Sequence, residues 1–479
     1  MGRSGRFPFS ARVRLSAAER TTHLYVIGLT GQGKSKFLQH GLFQDITAGR
    51  GCGVLDPHTD LVHDLMAQLA QAGFFNDPAQ RRRVIYLDPA RRDGLIPFNV
   101  LASSEAPYTT AINVIEAFRR TWPESLREAP RFTNILLASL LVLIANRQTL
   151  VELPRLLTDK PFREALLAQV DDPELVSVFH DRLDRWGREE PLILESLLNK
   201  VSALALNPSL RRSLGQRENQ LDFRRIMDDG RILLINLGRC DSETRRLLGS
   251  LMVTFLEQAA LSRADTPAQA RRPFYFYLDE FQDFCANEGS TTSLARILSE
   301  SRKFGLHLTL AHQTLGQLAS EPLRAALGNI GTQLVFAVDR PDAERLAKQL
   351  FSVGGERIKH EVQSETHQPL SHPVYYSLPE EWERAIQRLQ NLPPRSGWVK
   401  TPRRRHAIRL QTIPLPPRHL SDEALEALCT ALSRPSGWSV TGRGARPQPP
   451  APAPPAPTTY YEPLPGGAMA RQGGVIFQA

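Results

Sequence analysis

The segment Gly28-Leu29-Thr30-Gly31-Gln32-Gly33-Lys34-Ser35 constrains this chain more than any other. It satisfies G-x-x-x-x-G-K-[ST] at every fixed position. It lies between an apolar run, HLYVI, and a helical pattern, SKFLQHGLFQDI, which is the strand–turn–helix setting the motif needs. Glycines let backbone N–H groups turn inward around an anion, and the helix that follows presents the positive end of its dipole. Gly28, Thr30, Gly31, Gln32, Gly33, Lys34 and Ser35 are therefore expected to cradle the phosphates of a nucleotide. Lys34 would act as a point charge at the β- and γ-phosphates, and the Ser35 hydroxyl would ligate Mg²⁺. A glycine-rich turn opening an ordinary helix is the plainer alternative, and the flanking elements weigh against it.

Apolar runs at 23–28, 52–56 and 84–88, then at 231–237, 274–279, 306–311 and 333–338, predict buried strands. Helical patterns at 34–48, 59–72, 242–262, 291–304 and 341–351 supply crossovers, so the fold class is α/β with a mostly parallel sheet. Residues 105–225 carry apolar side chains at helical spacing (Ile112, Ile115 and Phe118; Leu194, Leu197, Leu198 and Val201) with few strand signals, which predicts an all-helical insertion domain. From residue 434 the chain turns Pro/Ala-rich and cannot bury a core, so 434–479 reads as a disordered tail with Tyr460 and Tyr461 near its end. The expected organisation is a basic N-terminal arm over 1–20, a discontinuous motor domain over 21–104 and 226–433, the insertion over 105–225, and the tail.

A second half of the site is legible downstream. Phe274-Tyr275-Phe276-Tyr277-Leu278-Asp279-Glu280 is an apolar strand ending in two carboxylates. At the strand's carboxyl end Asp279 would hold Mg²⁺ and Glu280 would serve as general base toward an attacking water. Two acids solvating a strand end are the bland reading, and the phosphate loop upstream argues against it. The strand Leu306–His312 leads to Gln313, placed where ligands bind in open α/β sheets, either to sense the γ-phosphate or to cap a helix. His307 and His312 have no partner at metal-ligand spacing and read as structural. The catalytic candidates are thus Lys34, Glu280 and Gln313, with ATP and Mg²⁺ as cofactors. No N-K-x-D segment for guanine follows the loop.

Four cysteines, Cys52, Cys240, Cys285 and Cys429, form no CxxC pair, which speaks against a disulfide framework and for a reduced, cytoplasmic setting. The longest apolar run, 135–145, is short of the roughly 20 residues a membrane helix needs, so direct membrane insertion is not expected. The formal charge of +9 hints at an anionic partner. Its distribution weakens the hint: residues 1–20 hold five Arg and one Glu, and 434–479 hold four Arg and one Glu, leaving +2 between them.

Taken together, HLYVIGLTGQGKS (23–35), GVLDPHTDLVHDL (53–65), IPFNVL (96–101), FYFYLDEFQDF (274–284), RKFGLHLTLAHQTLGQL (302–318) and NIGTQLVFAV (329–338) resemble the HerA/FtsK superfamily of P-loop NTPases. Within it the chain looks most like TraD/TraG-type coupling proteins of conjugation and type IV secretion. The resemblance implies a RecA-like motor with an inserted helical domain and a homohexameric ring with nucleotide at subunit interfaces. It also implies ATP hydrolysis coupled to the movement of DNA, with relaxase, secretion or nuclease proteins as possible partners and recruitment to a membrane complex from outside. By motif, residues 28–35 carry over as the cradle, Asp279 as the metal residue, Glu280 as the base and Gln313 as the sensor. Asp56 is a family-typical position without an assigned role, and Thr59 stands where glycine is usual. An arginine finger is not assigned; Arg302, Arg324 and Arg340 are candidates, each also open to reading as a surface salt bridge.

For DNA, the basic clusters Arg81-Arg82-Arg83, Arg91-Arg92 and Arg403-Arg404-Arg405 are candidates, with solvated charge as the default reading. Without a groove-reading motif, contact would be backbone-directed, salt-sensitive and low in sequence specificity. Two other readings stay open: a ring ATPase of a secretion or defence complex that remodels or recruits protein, and a scaffold that binds ATP without turnover.

Overall fold

The computed structural model describes residues 2–4, 11–92, 96–122, 130–184, 191–285, 297–298, 300–318, 321–355, 358–363 and 371–433. The expected tail over 434–479 and half of the helix expected over 291–304 (residues 291–296 and 299) lie outside the described residues.

Thirteen strands are present among them. They are β1 (Gly2–Ser4), β2 (Ala11–Val13), β3 (Leu24–Ile27), β4 (Gly51–Asp56), β5 (Val84–Leu87), β6 (Ile232–Asn236), β7 (Phe274–Leu278), β8 (Leu306–His312), β9 (Thr332–Val335), β10 (Ile358–Gln363), β11 (Ser371–Tyr375), β12 (Ser396–Lys400) and β13 (Ile408–Thr412). The seven strands read from apolar runs are β3 to β9, and they form one parallel block in the order β9-β3-β8-β7-β4-β6-β5. Every residue of these seven strands is buried. Burial on both faces is why they read as continuous rather than alternating apolar runs.

The sheet does not end at β9. Strand β12 joins it antiparallel, followed by β13, β1 and β2, giving eleven strands in all. Residues 396–412 supply sheet strands that their charged, alternating sequence did not advertise. The expected basic arm over 1–20 is also, in its described parts, folded onto the sheet edge. Its Arg20 pairs with Asp45 at 2.5 Å, and Asp45 is buried and also accepts from the Tyr277 hydroxyl at 2.7 Å. The Arg20 guanidinium lies 3.8 Å from the Tyr275 ring centroid.

Helices cover both faces: α1 (Lys34–Thr47), α2 (Asp60–Gln71), α3 (Pro107–Thr121), α4 (Pro130–Ala145), α5 (Pro191–Leu206), α6 (Ser242–Ser262), α7 (Arg340–Leu350), α8 (Leu378–Gln390) and α9 (Asp422–Ser433), with shorter helices between. Strand β7 shows how the layers are built. Phe274, Phe276 and Leu278 enter the core shared with α3, α4 and α6, whereas Tyr275 and Tyr277 face the opposite core with α1, α2 and α9. Between β5 and β6 the described residues contain helices and no strand. In α3, Val114, Ile115 and Phe118 are buried while Ile112 is 37% exposed. This helix packs on α6 and is joined to it by a buried ion pair, Arg120 to Glu257, at 3.2 Å. No described helix is long and apolar enough to cross a membrane.

Candidate active site

The sheet order places the carboxyl ends of β3, β8 and β7 side by side, so residues more than 240 positions apart in the chain converge. From β3 the chain turns through the glycine loop. Gly28 must lack a side chain because a Cβ there would sit 2.5 Å from the Phe336 Cβ. Gly31 and Gly33 adopt φ of 78° and 102°, which only glycine takes up readily. Three neighbours pin the loop: Leu29 N–H donates to the Ala337 carbonyl at 2.8 Å, Arg395 N–H donates to the Gln32 carbonyl at 2.9 Å, and Lys34 Nζ donates to the Gly28 carbonyl at 2.7 Å. Lys34 is buried at the first turn of α1, and burial lowers its pKa while Glu280 and Asp279 pull it back up.

Asp279 follows β7 and is buried beside the loop. Ser35 Oγ donates to its Oδ2 at 2.9 Å. Burial, then the neighbouring Glu280 charge, push the Asp279 carboxyl up to about 6. A hard cation fits here on donor chemistry: a hydroxyl and a carboxylate meet in a pocket where the carboxylate is short of positive charge. Among the described residues no cluster of three or more His, Cys, Asp or Glu could hold a metal by itself. Ser35 and Asp279 would therefore share such an ion with phosphate oxygens and water, the usual arrangement for Mg²⁺.

Glu280 is held in an unusual backbone conformation, φ 45°, with its side chain buried. Gln313 Nε2 donates to its Oε1 at 3.0 Å and Gln282 Nε2 donates to its Oε2 at 2.9 Å. Thr30 Oγ1 in turn donates to Gln313 Oε1 at 3.0 Å. A polar chain thus runs from the phosphate loop through Gln313 to the carboxylate. Left-handed strain at a non-glycine residue persists only where surroundings over-determine it, and such residues gather at functional sites.

Of the sequence-derived site residues, Ser35 and Asp279, Asp279 and Glu280, Glu280 and Gln313, and Gln313 and Thr30 are each joined by a hydrogen bond, so the loop and both carboxyl-end segments meet here. Other candidates lie elsewhere in role. Asp56 accepts the His58 and Val62 N–H groups at 2.8 and 2.9 Å, so it organises the turn into α2. Thr59 adopts φ 77°, the conformation a glycine would supply, and its hydroxyl donates to Asn236 Oδ1 at 2.9 Å. His312 is buried against Tyr25, whose hydroxyl is 2.6 Å from Nε2, and burial takes its pKa to about 3. Arg324 pairs with Glu321, and Arg340 with Glu383 and Glu344, whereas Arg302 is exposed with no side-chain partner among the described residues. In the basic clusters Arg83 caps the Gly49, Arg50 and Gly230 carbonyls and Arg91 pairs with Glu426, which leaves Arg81, Arg82, Arg92, Arg403 and Arg405 exposed.

Arg395 and Gln282 were not singled out from sequence. Gln282 follows Glu280 at a spacing that a sequence could have flagged; Arg395, in NLPPRSG, carries no such signal. Along α1 lies a cavity of about 940 Å³ lined by Phe37, His40, Tyr277, Arg395 and Thr412 among others, with none of residues 28–35 in its wall. The carboxylates and Gln313 are not part of its wall.

Solved structures share this architecture. The plasmid coupling protein TrwB in complex with the GTP analogue GDPNP aligns with TM-score 0.61 and 18% identity, over 88% of this chain and 97% of that one. TrwB in complex with ADP and Mg²⁺ gives 0.57 and 18%, over 85% and 92%. VirB4 of Thermoanaerobacter pseudethanolicus gives 0.53 and 13%, over 87% and 96%. At these identities the likeness establishes the fold. No curated protein matches the chain. A family model described as the type IV secretion-system coupling protein DNA-binding domain matches residues 127–411. That match spans more than half of the sequence and includes Asp279, Glu280, Gln313 and Arg395, so the chain belongs to the type IV secretion-system coupling protein family.

Proposed function

We propose that this protein is an ATPase that couples ATP hydrolysis to DNA transfer. The observation that carries the reading is the convergence of Ser35 on Asp279 and of Thr30 and Gln313 on Glu280. A binder without turnover needs the first pair alone; the second supports a reading of Glu280 as base and Gln313 as the amide that orients water. The TrwB structures with nucleotide, one of them with Mg²⁺, and the family match support it.

Backbone N–H groups of residues 31–35 would bind the phosphates, with Lys34 supplying charge at the β- and γ-positions. Ser35 and Asp279 would hold Mg²⁺, which when bound neutralises charge on the β- and γ-oxygens. Gln313 would orient a water, and Glu280 would take its proton as the water oxygen bonds to the γ-phosphorus and the bond to the ADP oxygen breaks. Both Glu280 oxygens are held by glutamine amides in the present state, so a shift of Gln313 or Gln282 would free the base.

The working unit is read as a homohexameric ring in the cytoplasm, with residues 21–104 and 226–433 as the motor and 105–225 as its inserted helical domain. Exposed Arg81, Arg82, Arg92, Arg403 and Arg405 would meet DNA phosphates. Purified protein should hydrolyse ATP with Mg²⁺, and Lys34→Ala should abolish nucleotide binding. Tight binding of Mg-ATP with no turnover would contradict the assignment of Glu280 and leave the scaffold reading.

A further inference from the structure

Arg395 stands in the left-handed region at φ 66°, a conformation that costs a non-glycine residue and that neither Asn nor Asp chemistry eases here. What over-determines it is a set of contacts between three separate segments. Its N–H donates to the Gln32 carbonyl at 2.9 Å, and its own carbonyl accepts the Thr412 N–H at 2.8 Å. Its Nη2 donates to the Thr412 carbonyl at 3.2 Å. A Cβ built on Gly33 would lie 3.3 Å from the Arg395 Cγ and 3.6 Å from its Cα, so the residue forms the outer wall of the loop just before Lys34.

The consequence follows from peptide geometry. In a planar trans peptide the C=O and the following N–H point in opposite directions. Anchoring the Gln32 carbonyl outward on Arg395 therefore fixes the Gly33 N–H to the other side of the loop.

We infer that Arg395 is a positioning residue: its left-handed backbone locks the Gln32–Gly33 peptide in the orientation that offers the Gly33 N–H to a bound phosphate. This rests on the reading of the loop as a nucleotide site. The role belongs to the backbone conformation, so it predicts a substitution pattern that a charge contact does not. Arg395→Gly and Arg395→Asn, which accept positive φ, retain most of the affinity for Mg-ATP. Arg395→Val and Arg395→Thr, whose branched side chains oppose it, weaken binding about tenfold, because the peptide must be reordered each time nucleotide binds.

The test titrates a fluorescent ATP analogue with Mg²⁺ into full-length wild type and the four variants, with kcat at saturating ATP and amide exchange of residues 28–35 in the nucleotide-free protein. Expected are a raised Kd and KM for Val and Thr with kcat within about twofold of wild type, faster exchange in the loop, and rescue in Gly and Asn. Thr serves as the second branched variant should Val not fold. Unchanged Kd and exchange in both branched variants overturns the inference. So does an equal loss in Gly and Asn, which would transfer the role to the guanidinium. Failure of wild type itself to bind Mg-ATP removes the nucleotide reading and this inference with it.

Discussion

Gln313 Nε2 donates to Glu280 Oε1 at 3.0 Å while the same amide accepts from Thr30 Oγ1. One side chain thereby connects the phosphate loop to the carboxylate assigned as base. On the proposed function, a γ-phosphate arriving at the loop would compete for Thr30 and for Gln313, and loss of those bonds would release Glu280.

Gln313→Ala is expected to lower kcat by about 10²-fold or more while nucleotide affinity changes little, since the amide orients water and does not build the cradle. Steady-state kinetics together with direct binding would check this. A change confined to KM would place Gln313 in ground-state binding instead.

Asp45 is buried and holds Arg20 at 2.5 Å and Arg50 at 3.1 Å. Asp45→Ala should cost on the order of 3–5 kcal/mol, because breaking a buried pair strands the charge that remains. Deleting residues 1–20 should also destabilise the protein, since it removes Arg20 and two strands from the sheet edge. A thermal midpoint unchanged by that deletion would restore the view of 1–20 as a free arm.

Three buried histidines set an acid limit. Burial holds His23 at a pKa of about 4 and His307 and His312 at about 3, against about 6.5 in an unfolded chain. With folded values depressed, the unfolded state binds more protons between pH 3 and 6.5. Their contribution to stability is therefore complete above about pH 6.5 and is lost as pH falls toward about 3. Near pH 5 unfolding should take up about three protons from these residues, read from the slope of stability against pH. His307→Gln and His312→Asn should each remove about one.

Gly28→Ala should destabilise the protein by about 1–3 kcal/mol and impair nucleotide binding, because the Phe336 Cβ cannot move without its backbone. Chemical denaturation of the variant would measure this. A neutral result would mean that the β3 and β9 ends are less tightly joined than described.

Much of the fold was legible because the parallel strands are buried on both faces, and their apolar runs mark them. The carboxyl ends of such strands are where ligands bind in open α/β sheets, which makes Gly28 to Ser35, Asp279 and Gln313 legible as candidates. Strands β12 and β13 were not legible, since SGWVK and IRLQT alternate polar and apolar residues beside an Arg-Arg-Arg turn. Nor were β1 and β2, three residues each, whose arginines suggested a solvated arm. Arg395 escaped notice for the same reason: its role depends on where the antiparallel edge returns the chain, and only pairing with a distant strand decides that.

DNA should govern turnover in this protein. The direct measurement is phosphate release by the assembled full-length protein with Mg-ATP, titrated with DNA at low and moderate salt, alongside Glu280→Gln. The expected result is hydrolysis that rises several-fold with DNA, loses that rise as salt is added, and is absent in Glu280→Gln although nucleotide still binds. Turnover that is the same with and without DNA, or that survives in Glu280→Gln, would contradict it.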